Sequence, residues 1–233
     1  MLPVTKEVKV VIVVPAFNES SVIYNVLKSI PKKIKGTSLV DVVVVNDGSS
    51  DNTQSEVRRA GIPVINHVIN RGLGAAIRTG IEYARKKKAA IMVTFDGDGQ
   101  HDPSDIEKII RPVFQKKADL VIGSRFKKSK NVPLDRFFLN WFANVVTFLF
   151  YGVVTTDSQS GLRAFSKKAL NLIDFKGERM DFSSEILLEA KKNKLKIAEV
   201  PIRAIYTEYS RKKGQKNLNA IPTFSRFLVR LLR

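Results

Sequence analysis

The sequence predicts an α/β fold, a mainly parallel central sheet with helices on both faces, and three observations carry that prediction. Short runs rich in Val and Ile alternate with stretches of helical character. Turns bearing Asp, Asn and Gly follow several of these runs. No internal repeat or low-complexity linker divides the 233 residues, of which 44% are hydrophobic, enough for one sizeable core. One domain over residues 1–216 is therefore expected, with a short basic amphipathic helix over residues 217–233.

The first strand is expected over residues 8–14. It is followed by Pro15-Ala16-Phe17-Asn18-Glu19, so the Gly-x-Gly-x-x-Gly turn of a dinucleotide site is absent where it would have to stand. A helix is predicted over residues 19–30, a second strand over 40–45, and a second helix over 53–60 ended by Gly61. Between them, Asn46-Asp47-Gly48-Ser49 offers polar groups to a base or ribose at the sheet's carboxyl edge. The third strand, residues 64–67, ends at His67, which is expected to be inert. Gly72-Leu73-Gly74 then makes a tight entry into a helix over 73–87, closed by Lys86-Lys87-Lys88 where cations favour the helix dipole. The fourth strand is expected over 91–95, the fourth helix over 104–116 and the fifth strand over 120–122. Beyond Gly123 the pattern turns to basic loops, a long apolar segment, a mixed α/β tail and a basic end.

The turn Asp96-Gly97-Asp98-Gly99-Gln100-His101 carries the strongest chemical signal. A buried strand delivers two carboxylates one residue apart to the sheet edge, and glycines let the backbone approach a bound group. This pair suits a hard divalent cation, Mg²⁺ or Mn²⁺. Mg²⁺ takes one or two carboxylates and leaves its other positions to water and phosphate, so a phosphate-bearing ligand is expected. The plain alternative is a turn before a helix capped by Asp102 or Ser104. An EF-hand reading also fits Asp96, Asp98, Gln100, Asp102, Ser104 and Glu107. It fails at His101, where the loop needs glycine, and because a strand precedes it. His101 itself is expected to orient Gln100 or the loop.

Forty Lys and Arg against 22 Asp and Glu give a formal charge of +18, which points to a polyanionic partner or surface. The absence of cysteine excludes disulfides and thiolate metal sites and fits the cytosol. The amino terminus enters the first strand without a charged-then-apolar leader, so no signal peptide is expected.

Taken in order, Val14–Glu19, Val45–Ser49, Asn70–Gly74, Asp96–His101, Gly123–Arg125, Asp157–Arg163, Glu199–Ile202 and Arg211–Gly214 resemble the family 2 glycosyltransferases of GT-A (Rossmann-like) fold. Within that family they look like the dolichyl- or polyprenyl-phosphate mannosyl- and glucosyltransferases. The resemblance implies an inverting, metal-dependent transfer of a hexose from a nucleotide diphosphate sugar, of GDP-mannose or UDP-glucose type, to a polyprenyl phosphate. It implies that Pro15, Phe17, Glu19 and Asp47 cradle the nucleoside. Asp96, Asp98 and Gln100 would form the metal triad, and Arg211 would contact the diphosphate. Arg125 and Arg136 would hold the acceptor phosphate, with Asn140 near a position that is often serine. Asn46 stands where the family is commonly acidic, which leaves the nucleobase open, and Gln215-Lys216 abbreviates the arginine motif.

The chemistry is self-consistent. A prenyl phosphate with a second pKa of about 6 is already largely dianionic near neutral pH and needs no general base. Asp98, Arg125, Arg136 and Arg211 are therefore the expected catalytic groups, since arginines must offset phosphate–phosphate repulsion and fix geometry. Asp157 and Arg163 flank Gln159-Ser160-Gly161 and either hold that loop beside the sugar or form a structural ion pair. Glu185 and Asp157 are the acids available if the acceptor were instead a saccharide hydroxyl.

Residues 137–156 carry no formal charge and many aromatics, while Arg136, Asn140, Asn144, Thr147 and Tyr151 recur at helical spacing. That stripe favours an interfacial helix within residues 133–154 over a membrane span or a buried core helix. At the carboxyl end, Phe224, Phe227, Leu228 and Leu231 oppose Arg226, Arg230 and Arg233, a basic amphipathic pattern suited to an anionic leaflet. The expected partners are a sugar nucleotide, a polyprenyl phosphate, an anionic membrane at its cytoplasmic face and a membrane protein. Nucleic acid is disfavoured, because the aromatics do not alternate with basic residues on a strand.

Overall fold

The computed structural model describes residues 8–127, 134–178 and 182–205. Seven strands form one sheet: β1 Lys9–Ala16, β2 Leu39–Asn46, β3 Val64–Asn66, β4 Ile91–Thr94, β5 Leu120–Ser124, β6 Arg163–Ser166 and β7 Ile197–Pro201. They lie in the order β3-β2-β1-β4-β6-β5-β7. Every pairing is parallel except those of β6, which runs antiparallel between β4 and β5. The helices are α1 Ile23–Ser29, α2 Thr53–Arg59, α3 Leu73–Lys86, α4 Asp105–Phe114, α5 Leu134–Tyr151, α6 Lys167–Leu172 and α7 Phe182–Lys192.

The continuous apolar run of β1 is explained by burial on both faces. Val10, Ile12 and Val14 pack into one core with Ile23, Ile106 and Ile109 of α1 and α4. Val11 and Val13 enter a second core with Ile77, Ile81 and Leu187 of α3 and α7. From β1 the chain builds outward through β2 and β3, then crosses to β4 on the other side. The carboxyl ends of β1 and β4 therefore flank a topological switch point, where open α/β sheets place ligands.

One helix start and one unpredicted strand differ most from the sequence expectation, each for a physical reason. Residues 19–22 turn before α1 begins, because the Glu19 amide donates to Thr53 Oγ1 and the Ser20 amide to Asp51, tying them to the loop after β2. The strand β6 has no apolar run to announce it, since its first residue is the fully buried Arg163.

The helix α5 is fastened by its polar stripe. Asn140 Nδ2 and Asn144 Nδ2 both donate to the Thr156 carbonyl, Thr147 Oγ1 meets Ser184 Oγ, and Lys191 donates to the carbonyls of Tyr151 and Gly152. Its aromatic side faces outward: Phe138 is 64% exposed, Trp141 57% and Leu149 70%. Among the described residues no helix is long and apolar enough to cross a membrane. The predicted helix over 217–233 lies outside the described residues.

Candidate functional site

The turns that follow β1 and β2 are knitted together at the sheet's carboxyl edge. Asn18, in the left-handed region at φ 54°, donates its amide to Ser49 Oγ and accepts from the Ser50 amide through Oδ1. Pro15 and Glu19 are buried here, and Phe17 is exposed. Gly48, at φ 70°, passes so close to the backbone of Ile69 and Asn70 that a side chain would overlap them.

Asp47 is buried, and its carboxylate organises the neighbouring loop. It accepts from the amides of Arg71 at 3.0 Å and Gly72 at 2.7 Å, and from His67 Nδ1 at 2.7 Å. A carboxylate can only accept, so the His67 proton sits on Nδ1, while Nε2 meets Thr79 Oγ1 at 2.9 Å. His67 is thus not inert, as the sequence suggested; it is the strut that orients Asp47. Asn46 donates to Asn66 Oδ1 at 2.9 Å, an amide pair where a carboxylate would have met another polar group.

The Asp96 turn springs from the end of β4, beside β1. Asp96 Oδ2 meets His101 Nε2 at 3.0 Å, so the histidine orients the loop through its first carboxylate. Burial works to raise the Asp96 pKa, but the His101 bond and the charges of His101, Arg125 and Arg163 bring it below the usual carboxylate value. Burial and the neighbouring Asp96 charge push Asp98 the other way, upward. Gln100 steadies Asp98 through its amide at 3.0 Å and its side-chain Nε2 at 2.6 Å. Asp96, Asp98 and Gln100 therefore stand together. Among the described residues no three His, Asp or Glu side chains form a ready metal cage.

Asp96 is backed by the loop that leads into β6. Gly161 lies against it so closely that a Cβ there would overlap both carboxylate oxygens. Thr94 Oγ1 donates to the Gly161 carbonyl at 2.6 Å. Arg163 does not pair with Asp157 through hydrogen bonds. It donates to the carbonyls of Ser158, Ser160 and Ser183, fixing the loop from within. Burial depresses its pKa to about 10 despite the nearby Asp157 and Asp96 charges, so it remains cationic at neutral pH.

Asp157 is fully buried and grips Arg125 instead. The guanidinium donates through Nε and one terminal nitrogen, each at 2.8 Å, and the Arg125 amide adds a third bond at 3.0 Å. Arg125 and Asp157 thus form one unit beside the Asp96 loop. Glu185 accepts from the amides of Lys176 and Gly177 at 2.9 and 2.8 Å, which anchors the loop whose Glu178 carbonyl receives the Gly74 amide at the start of α3.

Asn140 is buried against Thr156, at the inner side of α5. The backbone at position 136 lies in the first turn of α5, but the Arg136 side chain is outside the described residues. Arg211 also lies outside them. The chain leading toward it is pinned beside the Asp96 turn: the Ile205 amide donates to the Gln100 carbonyl at 2.9 Å, Ala204 bridges to His101, and the Arg203 amide donates to buried Asp105 at 2.7 Å.

The roles of two contributors escaped the sequence reading, although Glu199 stood in one of its motifs. His67 carried no signal beyond its place at a strand end. Glu199 accepts from the Thr156 amide at 2.6 Å and from both Thr155 and Thr156 hydroxyls, a role visible only once β7 is placed beside β5.

Known proteins resemble this chain in sequence and in fold. The family model described as glycosyl transferase family 2 matches residues 11–173. An uncharacterized protein of Methanocaldococcus jannaschii is 46% identical over 211 residues, covering 88% of this chain and 85% of its own. A UDP-N-acetylglucosamine–dolichyl-phosphate N-acetylglucosaminyltransferase of Methanococcus voltae is 38% identical and covers 94% of each chain. Further relatives are named as undecaprenyl-phosphate or polyprenol mannosyl transferring enzymes and as dolichyl-phosphate β-glucosyltransferases. Among solved structures, glucosyl-3-phosphoglycerate synthase of Mycobacterium tuberculosis, in complex with Mn²⁺, UDP and phosphoglyceric acid, superposes with a TM-score of 0.68. It is 18% identical, and the match covers 86% of this chain and 71% of that one. With a seven-stranded, mostly parallel α/β sheet and a family match over most of its length, the chain belongs to glycosyl transferase family 2 and is a glycosyltransferase.

Proposed function

We propose that this enzyme moves a hexose or N-acetylhexosamine, with inversion, from a nucleotide diphosphate sugar to a polyprenyl phosphate at the cytoplasmic face of a membrane. The single observation that carries the reading is a juxtaposition. The paired carboxylates of Asp96 and Asp98 and the outward-facing aromatic helix α5 are joined through one loop, residues 155–161. The relatives named for dolichyl- or polyprenyl-phosphate acceptors support the same class.

The residues present fit a divalent cation. Burial and the neighbouring charge of Asp96 both push Asp98 upward, and a cation held between the two carboxylates would offset that repulsion. Two carboxylates and an amide are also the sparse set that Mg²⁺ or Mn²⁺ accepts when phosphates complete the coordination. Asp96, Asp98 and Gln100 would hold the ion, and when bound it supplies charge neutralisation to the leaving nucleoside diphosphate.

The remaining work falls to the chain's own side chains. Pro15, Phe17, Glu19 and Asp47 receive the nucleoside, Asp47 acting through the loop amides it holds in place. Arg211 donates to the diphosphate; its segment departs from Ile205, which is bonded to the metal turn. Six extended residues reach up to about 20 Å, ample to return Arg211 to it. Arg125 and Arg136 receive the acceptor phosphate, with Arg125 held at a fixed angle by Asp157. Asn140 supports that end indirectly, through Thr156. The single domain of residues 1–216 and the basic helix of 217–233 complete the proposal, the latter resting on anionic lipid.

A saccharide hydroxyl acceptor would need a general base, and this is the second reading. The two acids available for it are both engaged: Asp157 with Arg125, and Glu185 with two backbone amides. That favours an acceptor that arrives already ionised. Titrating the enzyme with a short, water-soluble prenyl phosphate in the presence of Mn²⁺ and UDP tests the choice. Saturable binding, weakened by Arg136→Ala, is expected; no binding, with saccharides binding instead, would overturn it.

A further inference from the structure

Asn144 grips the backbone on both sides of Asp157. Its Nδ2 donates to the Thr156 carbonyl at 2.9 Å, and its Oδ1 accepts from the Ser158 amide at 2.9 Å. From that point a chain of contacts runs through the loop. Asp157 clasps Arg125, the Ser158 and Ser160 carbonyls accept from Arg163, and Gly161 closes against Asp96 while its carbonyl accepts from Thr94. Asn140 shares the Thr156 carbonyl, but Asn144 also holds the Ser158 amide, and through it α5 is connected by short, directional contacts to both the arginine and the carboxylate of the site.

The other side of α5 is apolar and exposed, with Phe137, Phe138, Trp141, Phe148 and Leu149 each between 47% and 70% accessible. In water such a face gains nothing from one helix orientation over another. On a bilayer it does, because rotation would lift aromatics out of the apolar layer. A formal charge of +18 matches an anionic lipid surface.

We propose that Asn144 is a positioning residue, through which seating of α5 on an anionic bilayer orders the 155–161 loop and thereby sets the Arg125–Asp157 pair and the Asp96 carboxylate for transfer. This rests on the lipid-acceptor reading above. It adds a consequence that reading does not contain: the bilayer acts on the active site even when it carries no acceptor. Ligands can shift a conformational equilibrium only through differential contacts, and here the differential contact is the aromatic face.

The test uses the full chain with vesicles of phosphatidylglycerol and phosphatidylcholine that contain no prenyl phosphate. Amide hydrogen exchange of residues 156–161 should slow at least fivefold on vesicle binding. Asn144→Leu should bind the same vesicles with unchanged affinity yet show no slowing. Asn144→Asp, which keeps the acceptor for the Ser158 amide and loses the donor to Thr156, should slow partially, and serves if the leucine variant does not fold. Thr147→Val, on the same stripe but bonded to Ser184, should behave as the parent. Empty vesicles should also raise kcat toward a water-soluble prenyl phosphate in the parent but not in Asn144→Leu, with the donor KM unchanged.

Equal slowing in the parent and Asn144→Leu, or none in the parent, would overturn the proposal. Because the exchange experiment contains neither donor nor acceptor, its result is independent of whether transfer to prenyl phosphate is ever observed. Absence of transfer from every donor would sink the acceptor assignment instead.

Discussion

Replacing Gly161 with alanine adds one methyl group at the tightest contact in the site. The backbone there does not require glycine, since φ lies outside the left-handed region, so any effect comes from the methyl itself. That methyl would overlap Asp96 Oδ1, Oδ2 and Cγ. The loop cannot easily retreat, because the Gly161 carbonyl is held by Thr94 and the preceding carbonyls by Arg163. The Asp96 carboxylate must therefore shift, by on the order of 1 Å, and a misplacement of that size costs about 10²-fold in rate. Overpacking should lower stability by only about 1–3 kcal/mol, leaving the protein folded. The assay pairs calorimetric titration of Mn²⁺ in the presence of UDP with transfer kinetics and a thermal melt. Folded Gly161→Ala protein that binds Mn²⁺ and transfers sugar at parental rates would refute the claim that this contact aims Asp96.

Three further outcomes are expected. Asp98→Ala should abolish transfer and Mn²⁺-dependent UDP binding, whereas Arg136→Ala should chiefly raise the acceptor KM; equal loss of donor binding in both would contradict the division of roles. His67→Ala leaves buried Asp47 short of one charge-assisted hydrogen bond, worth about 1.5–3 kcal/mol, so donor affinity measured by calorimetry should fall at least about tenfold. Trp141→Ala removes an aromatic that is 57% exposed and should weaken partitioning to anionic vesicles several-fold in a sedimentation assay, without altering the thermal melt; unchanged partitioning would remove α5 from the membrane contact.

Much of the architecture was legible because burial on both faces leaves an unambiguous trace. The strands β1, β2, β4 and β5 are short runs dominated by Val, Ile and other apolar residues, and Gly61 and Gly72 mark the end of α2 and the start of α3. The Asp96-Asp98-Gln100 cluster was readable for the same reason, as a polar turn at the end of a buried strand. What escaped was held by side-chain chemistry at long sequence separation. The strand β6 opens on Arg163, which reaches back to Ser158 and Ser160, and β7 carries Glu199, which grips Thr155 and Thr156. Neither leaves a periodic pattern. The pairing of Asp157 with Arg125, across 32 residues, likewise has no local signal, so Arg163 looked the nearer partner. The polar stripe of α5 was visible in its spacing, and the structure supplies its meaning: the stripe binds protein and the aromatics face out.

In the proposed reaction a cation assists departure of the nucleoside diphosphate while a prenyl phosphate attacks the sugar from the opposite side. Its most direct test is a panel of radiolabelled GDP- and UDP-sugars incubated with the full chain, anionic vesicles and polyprenyl phosphate, with and without chelator. The expected result is label in the lipid phase from one donor, lost with chelator and restored by Mg²⁺ or Mn²⁺. Label that passes only to a saccharide hydroxyl, or lipid labelling that chelator leaves untouched while Asp98→Ala still transfers, would contradict it.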